Sequence, residues 1–457
     1  METNPPAAAK PNAPLTLAIY NFFFPFVFLA MLPGLARRMM RRGNYQRGFG
    51  QRFARYDRAA LARLGSGGRV WVHSISVGET LLALRLIRQM RELQPGLRVV
   101  LSTTTSTGHA LAMENASEWL EPVYNPIDAW PLARRALDRL RPARLVFIEA
   151  IWPNLLAQAA ARGIPTALVA RLSPRSEGRF RRFRALTGPL FRLLDAVSVQ
   201  EPEDVERWES LGVERARLHC TGNTKFDPPG GRDERASQFR ALLARLAVPA
   251  DAPVLLGGST FPGEEGMLAR ICIRLREKFP DLFLIVVPRH VERASEAAAE
   301  VTDAGLSFAL RSAAAERDAP PDCLLVNTTG ELRAWYEVAT VVYIGKSMSP
   351  AAIGGQNPVE PVFAGKPVVF GPHMENFQTV VSRFLEAGAA SEAADERALE
   401  AIIAELLRES DRREAMARRA LGIVAPHAGA AERTARLALG MDAGVYPEGP
   451  MAHPPAA

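Results

Sequence analysis

The stretch "RVWVHSISVGETLLALRLI", residues 69–87, carries the clearest fold signal in the chain. Its first part is a short apolar run, typical of a strand covered on both faces. Apolar residues at helical spacing follow from Leu81 onward. Between the two parts, Ser76 and Glu79 fit the pattern S-x-x-E, in which each side chain satisfies amides at a helix start. The stretch predicts a buried parallel strand leading straight into a helix. It leaves open whether Glu79 only caps that helix or also does chemistry.

The same alternation of strand and helix continues along the chain, with one interruption at "DPPGGRDER", residues 227–235, which we interpret as a linker. A chain of 457 residues with 48% hydrophobic content exceeds what one core usually supports. The sequence therefore predicts an α/β protein with two Rossmann-like domains facing one another across a cleft. The expected strands are 69–75, 98–104, 143–149, 166–172 and 196–200, then 252–258, 282–288, 323–328, 341–345 and 367–371.

An uncharged segment precedes the first domain. No charged residue occurs from Pro11 to Ala36, and a helix of that length is long enough to cross a bilayer. Positive charge follows this segment instead of preceding it, which argues against a cleaved signal peptide. We expect a membrane-anchor helix over residues 15–36, with the rest of the chain on the cytoplasmic side. Because Asn21 and Pro25 weaken the span, a helix lying in the membrane interface is the alternative.

The excess positive charge is concentrated near the start of the chain. The formal net charge is +7, and residues 1–60 carry an excess of the same size: Lys10, Arg37, Arg38, Arg41, Arg42, Arg47, Arg52, Arg55 and Arg58 against Glu2 and Asp57. This charge adjoins the apolar segment, so we expect a membrane partner and no nucleic acid. A second basic stretch, "RSEGRFRRFRALTGPLFR" at 175–192, is either a solvated helix face or a surface for anionic lipid.

These observations give a domain plan for the whole chain. Its cysteines, Cys220, Cys272 and Cys323, are widely scattered and fit neither a disulfide framework nor a zinc site. The expected parts are an N-terminal tail (1–14), the anchor (15–36), a basic neck (37–66), the first domain (67–226), a linker (227–236), the second domain (237–440) and a disordered tail (441–457).

Polar clusters follow most of the expected strands, at the sheet edge where parallel sheets bind ligands. The most informative is "GGQNPVEP", residues 354–361. Its glycines and amides before a helix are suited to a phosphate, with Glu360 placed for a ribose diol. For the glycines and Asn357 alone, a turn with ordinary capping is the favoured alternative, and Glu360 followed by a proline in the predicted first turn favours the nucleotide. Arg289, at the end of another strand, is suited to a phosphate or carboxylate. The "GKS" at 345–347 is not a Walker A loop, because Thr340 stands where its first glycine belongs.

In combination, the motifs "HSISVGE", "TTTSTG", "WPNL", "ARLS", "TKFD", "GGST", "PRH", "GEL" and "GGQNPVEP" resemble the 3-deoxy-D-manno-octulosonic acid (Kdo) transferases, over nearly the whole chain. The resemblance implies a GT-B glycosyltransferase, inverting and independent of metal and cofactor, which moves Kdo from CMP-Kdo to the lipid A precursor at the inner membrane. It places the catalytic base on Glu79. The donor candidates are Ser259, Thr260, Arg289, Gly330, Glu331, Lys346, Ser347, Gly354, Gly355, Gln356, Asn357 and Glu360. The acceptor candidates are Ser76, Gly78, Thr107, Glu149, Arg171 and Arg175.

The sequence departs from the family pattern at some positions. Where the family has glutamates two and four residues before the "WPN" tryptophan, this chain has Ala150 and Ile148, with Glu149 between them. A displacement by one residue turns a strand side chain to the other face, so the role of Glu149 depends on the local backbone. Gln356 replaces a histidine. The rival functions are a GT-B transferase with another donor, such as a UDP-sugar, and a non-catalytic membrane-anchored lipid A binding protein.

Overall fold

The computed structural model describes residues 13–42, 48–64, 68–227, 235–314, 320–349, 353–444 and 446–447. The chain forms two compact units. The first comprises Met1–Asp227 together with Gly429–Pro447, and the second comprises Pro228–Ala428 with Glu448–Ala457. Each unit is built around one parallel β-sheet.

The sheet of the first unit has seven strands in the order β3-β2-β1-β4-β5-β6-β7, all parallel. Side chains alternate between its faces, since Trp71 packs in one core cluster while Val70 and Val72 pack in another. Burial on both faces explains the unbroken apolar runs in the sequence. The strands are β1 (Arg69–His73), β2 (Val99–Thr103), β3 (Leu120–Tyr124), β4 (Pro142–Ile148), β5 (Thr166–Val169), β6 (Ala196–Val199) and β7 (Leu218–Cys220).

Helices cover both faces of this sheet, and an additional long helix precedes it. They are α1 (Pro14–Arg42), α2 (Arg58–Leu64), α3 (Val77–Leu93), α4 (Ser106–Glu114), α5 (Trp130–Leu140), α6 (Pro153–Ala161), α7 (Pro174–Arg182), α8 (Arg184–Phe191) and α9 (Pro202–Ser210). Among the described residues, α1 is the one helix long and apolar enough to cross a membrane.

The second unit repeats the plan, with seven parallel strands in the order β10-β11-β9-β8-β12-β13-β14. Its strands are β8 (Val254–Thr260), β9 (Phe283–Pro288), β10 (Phe308–Leu310), β11 (Cys323–Leu325), β12 (Val341–Ile344), β13 (Val368–Phe370) and β14 (Ser391–Glu392). Its helices are α10 (Ala236–Arg245), α11 (Glu264–Arg276), α12 (Ala294–Asp303), α13 (Leu332–Val338), α14 (Val359–Phe363), α15 (Gln378–Glu386), α16 (Glu396–Arg408) and α17 (Ser410–Val424). The predicted α/β class with two Rossmann-like sheets and an N-terminal apolar helix is confirmed.

Short 3₁₀ segments complete the described secondary structure. They lie at Phe49–Phe53, Arg215–Arg217, Val291–Arg293, Arg311–Ala313, Glu375–Phe377 and Ala425–His427.

The C-terminal boundary differs from the expected one, because the last helix, α18 (Ala430–Leu439), belongs to the first unit. Small residues, Ala435 and Ala438, let it pack closely on the apolar face of α3. The Asp227 carboxylate accepts hydrogen bonds from the amides of Gly429 and Ala431, at 2.8 and 2.6 Å. The second domain therefore does not extend to residue 440 as the sequence analysis expected.

Other expected boundaries also differ from the structure. The apolar helix runs on through residues 37–42 of the expected neck, and Ala54 and Ala60 of that neck are buried against the first unit. Asp227, expected in the linker, lies in the first unit, and α10 begins at Ala236. Most of the expected disordered tail, residues 445 and 448–457, lies outside the described residues.

Candidate active site

Strand order reverses between β1 and β4 in the first sheet and between β8 and β12 in the second. Open parallel sheets bind ligands beyond the carboxyl ends of strands at such a switch point. The loop after β1 leads to Glu79 and the loop after β4 begins with Glu149. In the second sheet the corresponding positions are Ser259 and Thr260, at the end of β8, and Lys346, just after β12. The topology therefore groups several of the candidate residues at the two edges where ligands bind.

Glu79 lies in the first turn of α3 and is half-buried. Its Oε2 accepts a hydrogen bond from the backbone N–H of Ile75 at 2.8 Å, and its Oε1 accepts one from the Ser76 hydroxyl at 3.2 Å. In return, Ser76 Oγ accepts from the Glu79 N–H at 3.3 Å. A carboxylate has about four acceptor positions, so this capping arrangement leaves Glu79 able to accept a further proton donor. Capping and chemistry are therefore compatible in this residue.

The pKa of Glu79 is raised above its ordinary value, chiefly because the carboxylate is partly buried. The Ile75 N–H lowers it, the negative charge of Glu149 raises it, and the bonds with Ser76 lower it, with a net upward shift. Desolvation therefore outweighs the stabilisation of the ionised carboxylate by the helix N-terminus.

Glu149 follows β4 directly and has a left-handed backbone, with φ of 59°. Its N–H donates to the carbonyl of Val169 at 2.9 Å. The strand ends at Ile148, so the strict alternation of strand side chains does not apply to Glu149. A left-handed conformation at a non-glycine residue is costly and is found preferentially at functional sites. This backbone brings Glu149 close enough to Glu79 to affect its pKa.

A buried polar layer fixes the loop that carries Glu79. The hydroxyls of Ser74 and Thr80 are 3.1 Å apart, and Thr80 donates to the Ser76 carbonyl at 2.8 Å. Asn125 Nδ2 donates to the Ser74 carbonyl at 2.9 Å. These bonds link β1, α3 and the segment after β3, and they hold Ser76 at the start of the helix. Burial lowers the pKa of the neighbouring His73 to about 3, so this imidazole is neutral.

The remaining acceptor candidates are exposed and lie apart from this hydrogen-bond network. Gly78 is in the first turn of α3, where an added Cβ would meet only Ser76 Oγ at 4.0 Å. Thr107 is on α4, and its hydroxyl donates to Thr105 Oγ1 at 3.5 Å. Arg171 follows β5, and Arg175 lies in the first turn of α7. They follow β1, β2 and β5 of the same sheet, in which β4 separates β1 from β5.

In the second unit, the buried carboxylate of Glu264 organises the loop after β12. Its two oxygens accept hydrogen bonds from the backbone N–H groups of Lys346, Ser347 and Met348, at 2.8, 3.0 and 3.3 Å. It also accepts from the Tyr343 hydroxyl at 2.7 Å. Successive amides of this kind commonly bind an anion, and here the anion belongs to the protein. These amides are therefore engaged within the protein.

Lys346 and Ser347 differ in what they offer a ligand. Ser347 is fully buried; its hydroxyl donates to the Ile344 carbonyl at 2.6 Å and accepts from the Gly371 N–H at 2.8 Å. Its side chain holds the loop and does not face a ligand. Lys346 has φ of 61° and a half-buried side chain, whose ammonium lies 5.2 Å from the centre of the Phe261 ring. Of the two residues, Lys346 carries the available cation.

The end of β8 is distorted at Ser259, where the register with β9 shifts and φ is 56°. The following Thr260 is buried and donates to Glu265 Oε1 at 2.9 Å. Burial raises the pKa of Glu265, and Arg293 at 3.0 Å opposes that shift. The Arg289 side chain is exposed, and the backbone N–H of Arg289 donates to the Thr260 carbonyl at 3.0 Å. Ser259 and Thr260 thus shape the sheet edge, whereas Arg289 offers an exposed guanidinium beside it.

The "GGQNPVEP" segment is bonded more tightly to the protein than expected. The N–H groups of Gly355 and Gln356 donate to the carbonyls of Lys346 and Gly345, at 3.0 and 3.1 Å. The expectation that these amides are exposed for a phosphate is wrong for both. The helix that follows, α14, has only five residues. Gly354 has φ of 114°, a conformation that essentially requires glycine, and an added Cβ would lie 2.4 Å from Asn376 Nδ2.

Asn357 and Glu360 are joined by a hydrogen bond from the Asn357 side-chain amide to Glu360 Oε1 at 3.1 Å. Asn357 Oδ1 also accepts from the Val359 N–H at 3.0 Å, which closes a turn at the start of the short helix. Both side chains are half-buried. Glu360 retains acceptor positions for a further hydrogen-bond donor.

Gly330 and Glu331 follow β11, two strands away from β8. The Glu331 carboxylate pairs with Arg311, at 3.1 and 3.2 Å, and accepts from the Thr328 hydroxyl at 2.8 Å. The Gly330 carbonyl accepts from Arg235 at 2.7 Å. These bonds join Gly330 and Glu331 to Thr328 in their own loop, to Arg311 after β10 and to Arg235 before α10, and do not connect them with the other donor candidates.

Residues 47–228 match the family model described as 3-deoxy-D-manno-octulosonic-acid transferase (kdotransferase). A solved structure, the C-terminal CMP-Kdo binding domain of WaaA from Acinetobacter baumannii, is 28% identical over 41% of this chain and 97% of that chain, with a TM-score of 0.39. A 3-deoxy-D-manno-octulosonic acid transferase of Haemophilus influenzae is 28% identical over 80% of this chain and 85% of its own length. The corresponding enzyme of Bordetella pertussis is 36% identical over 83% of this chain and 89% of its own length.

The chain belongs to the Kdo transferase family. It is therefore a glycosyltransferase with two Rossmann-like domains, and its reaction is the transfer of Kdo in lipopolysaccharide biosynthesis. Within the described part of this Kdo transferase, no group of three or more His, Cys, Asp or Glu side chains has the arrangement of a metal site. The three cysteines are free thiols, and burial raises the pKa of each.

The raised pKa of Glu79 predicts a pH dependence of the Kdo transferase. As the proposed general base, Glu79 must be ionised, so turnover should be lost as the pH falls through the pKa of Glu79, which lies above the ordinary 4.5. Because the charge of Glu149 contributes to the upward shift, Glu149→Gln should move the acidic limb to lower pH. The measurement is turnover at saturating substrates across the acid range. An acidic limb that stays in place in Glu149→Gln would contradict this assignment.

Some residues that organise the site were missed by the sequence analysis. Glu264 and Asn125 make their decisive bonds with residues far away in sequence, 82 residues in the case of Glu264 and Lys346. Glu264 lies in the first turn of α11, where an acidic residue is explained equally well by the helix dipole. The polar composition of "GGSTFPGEE" was the one sequence feature that pointed to this region. It did not indicate that the Glu264 carboxylate accepts hydrogen bonds from the loop after β12.

Proposed function

We propose that this Kdo transferase uses CMP-Kdo as donor and the tetra-acylated lipid A precursor, lipid IVA, as acceptor, with inversion and without a metal ion. The observation that carries the proposal is the half-buried Glu79 carboxylate at the switch point of the first sheet. Its pKa is raised, and it retains acceptor positions for a hydroxyl group. Such a carboxylate is suited to take the proton from an attacking sugar hydroxyl.

In the proposed reaction, an acceptor hydroxyl attacks the anomeric carbon of Kdo while the bond from that carbon to the CMP phosphate oxygen breaks. Glu79 takes the hydroxyl proton, and the electron pair of the broken bond leaves with the phosphate as CMP. A single displacement of this kind inverts the anomeric centre. The neighbouring Glu149 assists the base electrostatically, because its negative charge helps to keep the pKa of Glu79 raised. Its position supports a role for this glutamate despite its displacement in the sequence.

Negative charge develops on the leaving phosphate, and cationic side chains of the second unit are proposed to stabilise it. Arg289 and Lys346 are at the carboxyl edge of the second sheet, at the ends of β9 and β12. Preorganised cations at a position where charge develops stabilise a transition state without the need for a metal ion. Glu360, held by Asn357 at 3.1 Å, is proposed to accept from the ribose hydroxyls of the nucleotide.

We place the enzyme at the inner membrane, attached through α1, with both units in the cytoplasm. The apolar helix followed by arginines supports this location. A membrane location would also suit a lipid acceptor.

The deciding experiment is incubation of the purified protein with CMP-Kdo, generated in situ, and tetra-acylated lipid A precursor, followed by mass measurement of the lipid product. We expect the acceptor mass to increase by one or more Kdo residues. Parallel reactions with UDP-sugars test the rival donor class. Product formed only from a UDP-sugar would overturn the donor assignment, and failure to bind any nucleotide would favour the lipid A binding protein.

A further inference from the structure

Helix α1 is attached to the first unit along its N-terminal part. Ala13 and Thr16 are buried, and Leu17 packs against the apolar core beneath the helix. The side chains of Asn21 and Asn154 form a reciprocal pair of hydrogen bonds, at 2.9 and 2.8 Å. The contacts are made with α6 and α8 of the first unit. The first two turns of α1 are therefore part of the folded unit.

The polar contacts beneath α1 are buried and specific. Asn154 is fully buried, and besides its bonds to Asn21 its amide donates to the Asp128 carbonyl at 2.6 Å. The Asp128 carboxylate accepts from the backbone N–H groups of Asn154 and Leu155, both at 3.0 Å, which caps the start of α6. Removing Asn21 from this site would leave the buried amide oxygen and one amide hydrogen of Asn154 without their partner, which is unfavourable. The attachment is thus favoured over a detached helix.

The length of α1 beyond Asn21 determines whether the attached helix can still span a bilayer. The apolar segment Pro14–Gly34 has 21 residues, enough to span if it were free. Attachment through Asn21 leaves residues 22–34, or about 20 Å of helix, against a hydrocarbon thickness of about 30 Å. Pro25 lacks the N–H that would bond to the Asn21 carbonyl, so the helix is weakened just beyond the attached part.

The free part of α1 presents a large apolar surface. Its exposed side chains are Phe22, Phe23, Phe26, Val27, Leu29, Met31 and Leu32, each between 45% and 64% exposed. Arginines follow at residues 37, 38, 41 and 42. Helix α8, which contacts α1, continues from α7, and the two carry exposed Arg181, Arg182 and Arg184 beside exposed Phe183. Aromatic side chains with adjoining cations match a leaflet containing anionic lipid.

We propose that α1 does not cross the membrane: it stays attached to the first unit through Asn21 and Asn154 and buries its aromatic face in one leaflet of an anionic bilayer. This inference rests on the proposed membrane location and replaces the spanning anchor expected from the sequence with an interfacial one. The N-terminus then lies on the same side of the membrane as the catalytic units. The anchor also fixes the orientation of the first unit instead of serving as a flexible tether.

The test locates the N-terminus by thiol labelling of the full-length chain in intact spheroplasts, with a membrane-impermeant maleimide. Thr3→Cys reports on the N-terminus, and Glu203→Cys, on the exposed face of α9, reports on the catalytic side, both in a Cys220→Ser background. We expect neither to be labelled until the membrane is opened by lysis. Labelling of Thr3→Cys in intact spheroplasts, with Glu203→Cys still protected, would overturn the proposal.

A second measurement tests the attachment itself. In native membranes, a photoactivatable benzoylphenylalanine placed at Leu17, which packs against the first unit, should cross-link within the chain to α6 or α8, whereas the same residue placed at Phe26 should not. Absence of this cross-link at Leu17, with capture of lipid by the same photoactivated residue instead, would show that the helix detaches in lipid and would overturn the proposal. Neither measurement reads out transfer, so failure of the proposed reaction would leave both results unchanged.

Discussion

Glu79→Gln should lose transfer by a factor of about 10² to 10⁴, the usual contribution of a positioned general base. Glutamine keeps the size of the side chain and an acceptor oxygen for the Ile75 N–H, so the start of α3 should remain capped. What it loses is the ability to take a proton. The measurement is turnover of CMP-Kdo with the lipid A precursor, together with the thermal unfolding midpoint and the affinity for CMP. We expect only turnover to change.

A matched control for this substitution is Glu114→Gln, an exposed glutamate at the end of α4 in the same unit. It should leave turnover and stability unchanged. If Glu79 serves only as a cap, Glu79→Gln will instead turn over at nearly the normal rate. That result would refute its assignment as the base.

Glu264→Gln should destabilise the second unit by roughly 3 kcal/mol and raise the KM for CMP-Kdo, because hydrogen bonds to a buried charge contribute about 1.5–3 kcal/mol each. Every partner of this carboxylate is a donor, including the N–H groups of Phe261 and Lys346 on one oxygen. An amide nitrogen placed there would face those donors and could not accept from them. The loop that carries Lys346 would then lose its fixed conformation.

The effect of Glu264→Gln is read from the thermal unfolding midpoint and from KM for the donor, measured separately from KM for the acceptor. Glu292→Gln, at an exposed position of the same unit, is the control and should behave as the unsubstituted enzyme. An unchanged midpoint with unchanged donor KM would mean that the loop after β12 is not held by this carboxylate.

The strands that were predicted from sequence are those buried on both faces. Runs such as Val70–Val72 are apolar throughout because helices cover both sides of the sheet. The strands that were not predicted are the short or peripheral ones, β3, β7, β10 and β14, which lie at or near the sheet edges. Strand β3 contains Glu121 and Pro122, which are tolerated there because an edge strand leaves one side unpaired. Local composition does not identify such strands.

The candidate site was predictable where its chemistry is local in sequence. The hydrogen bonds between Ser76 and Glu79 follow from their spacing, and both side chains take part in capping as the pattern indicates. The net pKa of Glu79 was not predictable, because it depends on burial and on Glu149, which arrives from another strand. The amides of Gly355 and Gln356 were misjudged for the same reason, since their acceptors belong to the loop after β12.

Helix α18 limits how this enzyme can be divided into fragments. A chain cut after Asp227 would lack the helix whose Ala435 and Ala438 cover the apolar face of α3, and Asp227 itself would lose the amides of Gly429 and Ala431. Such a fragment would expose apolar surface and tend to aggregate. A self-sufficient first unit instead requires residues 429–447 supplied as a separate peptide or joined to it in a circularly permuted chain.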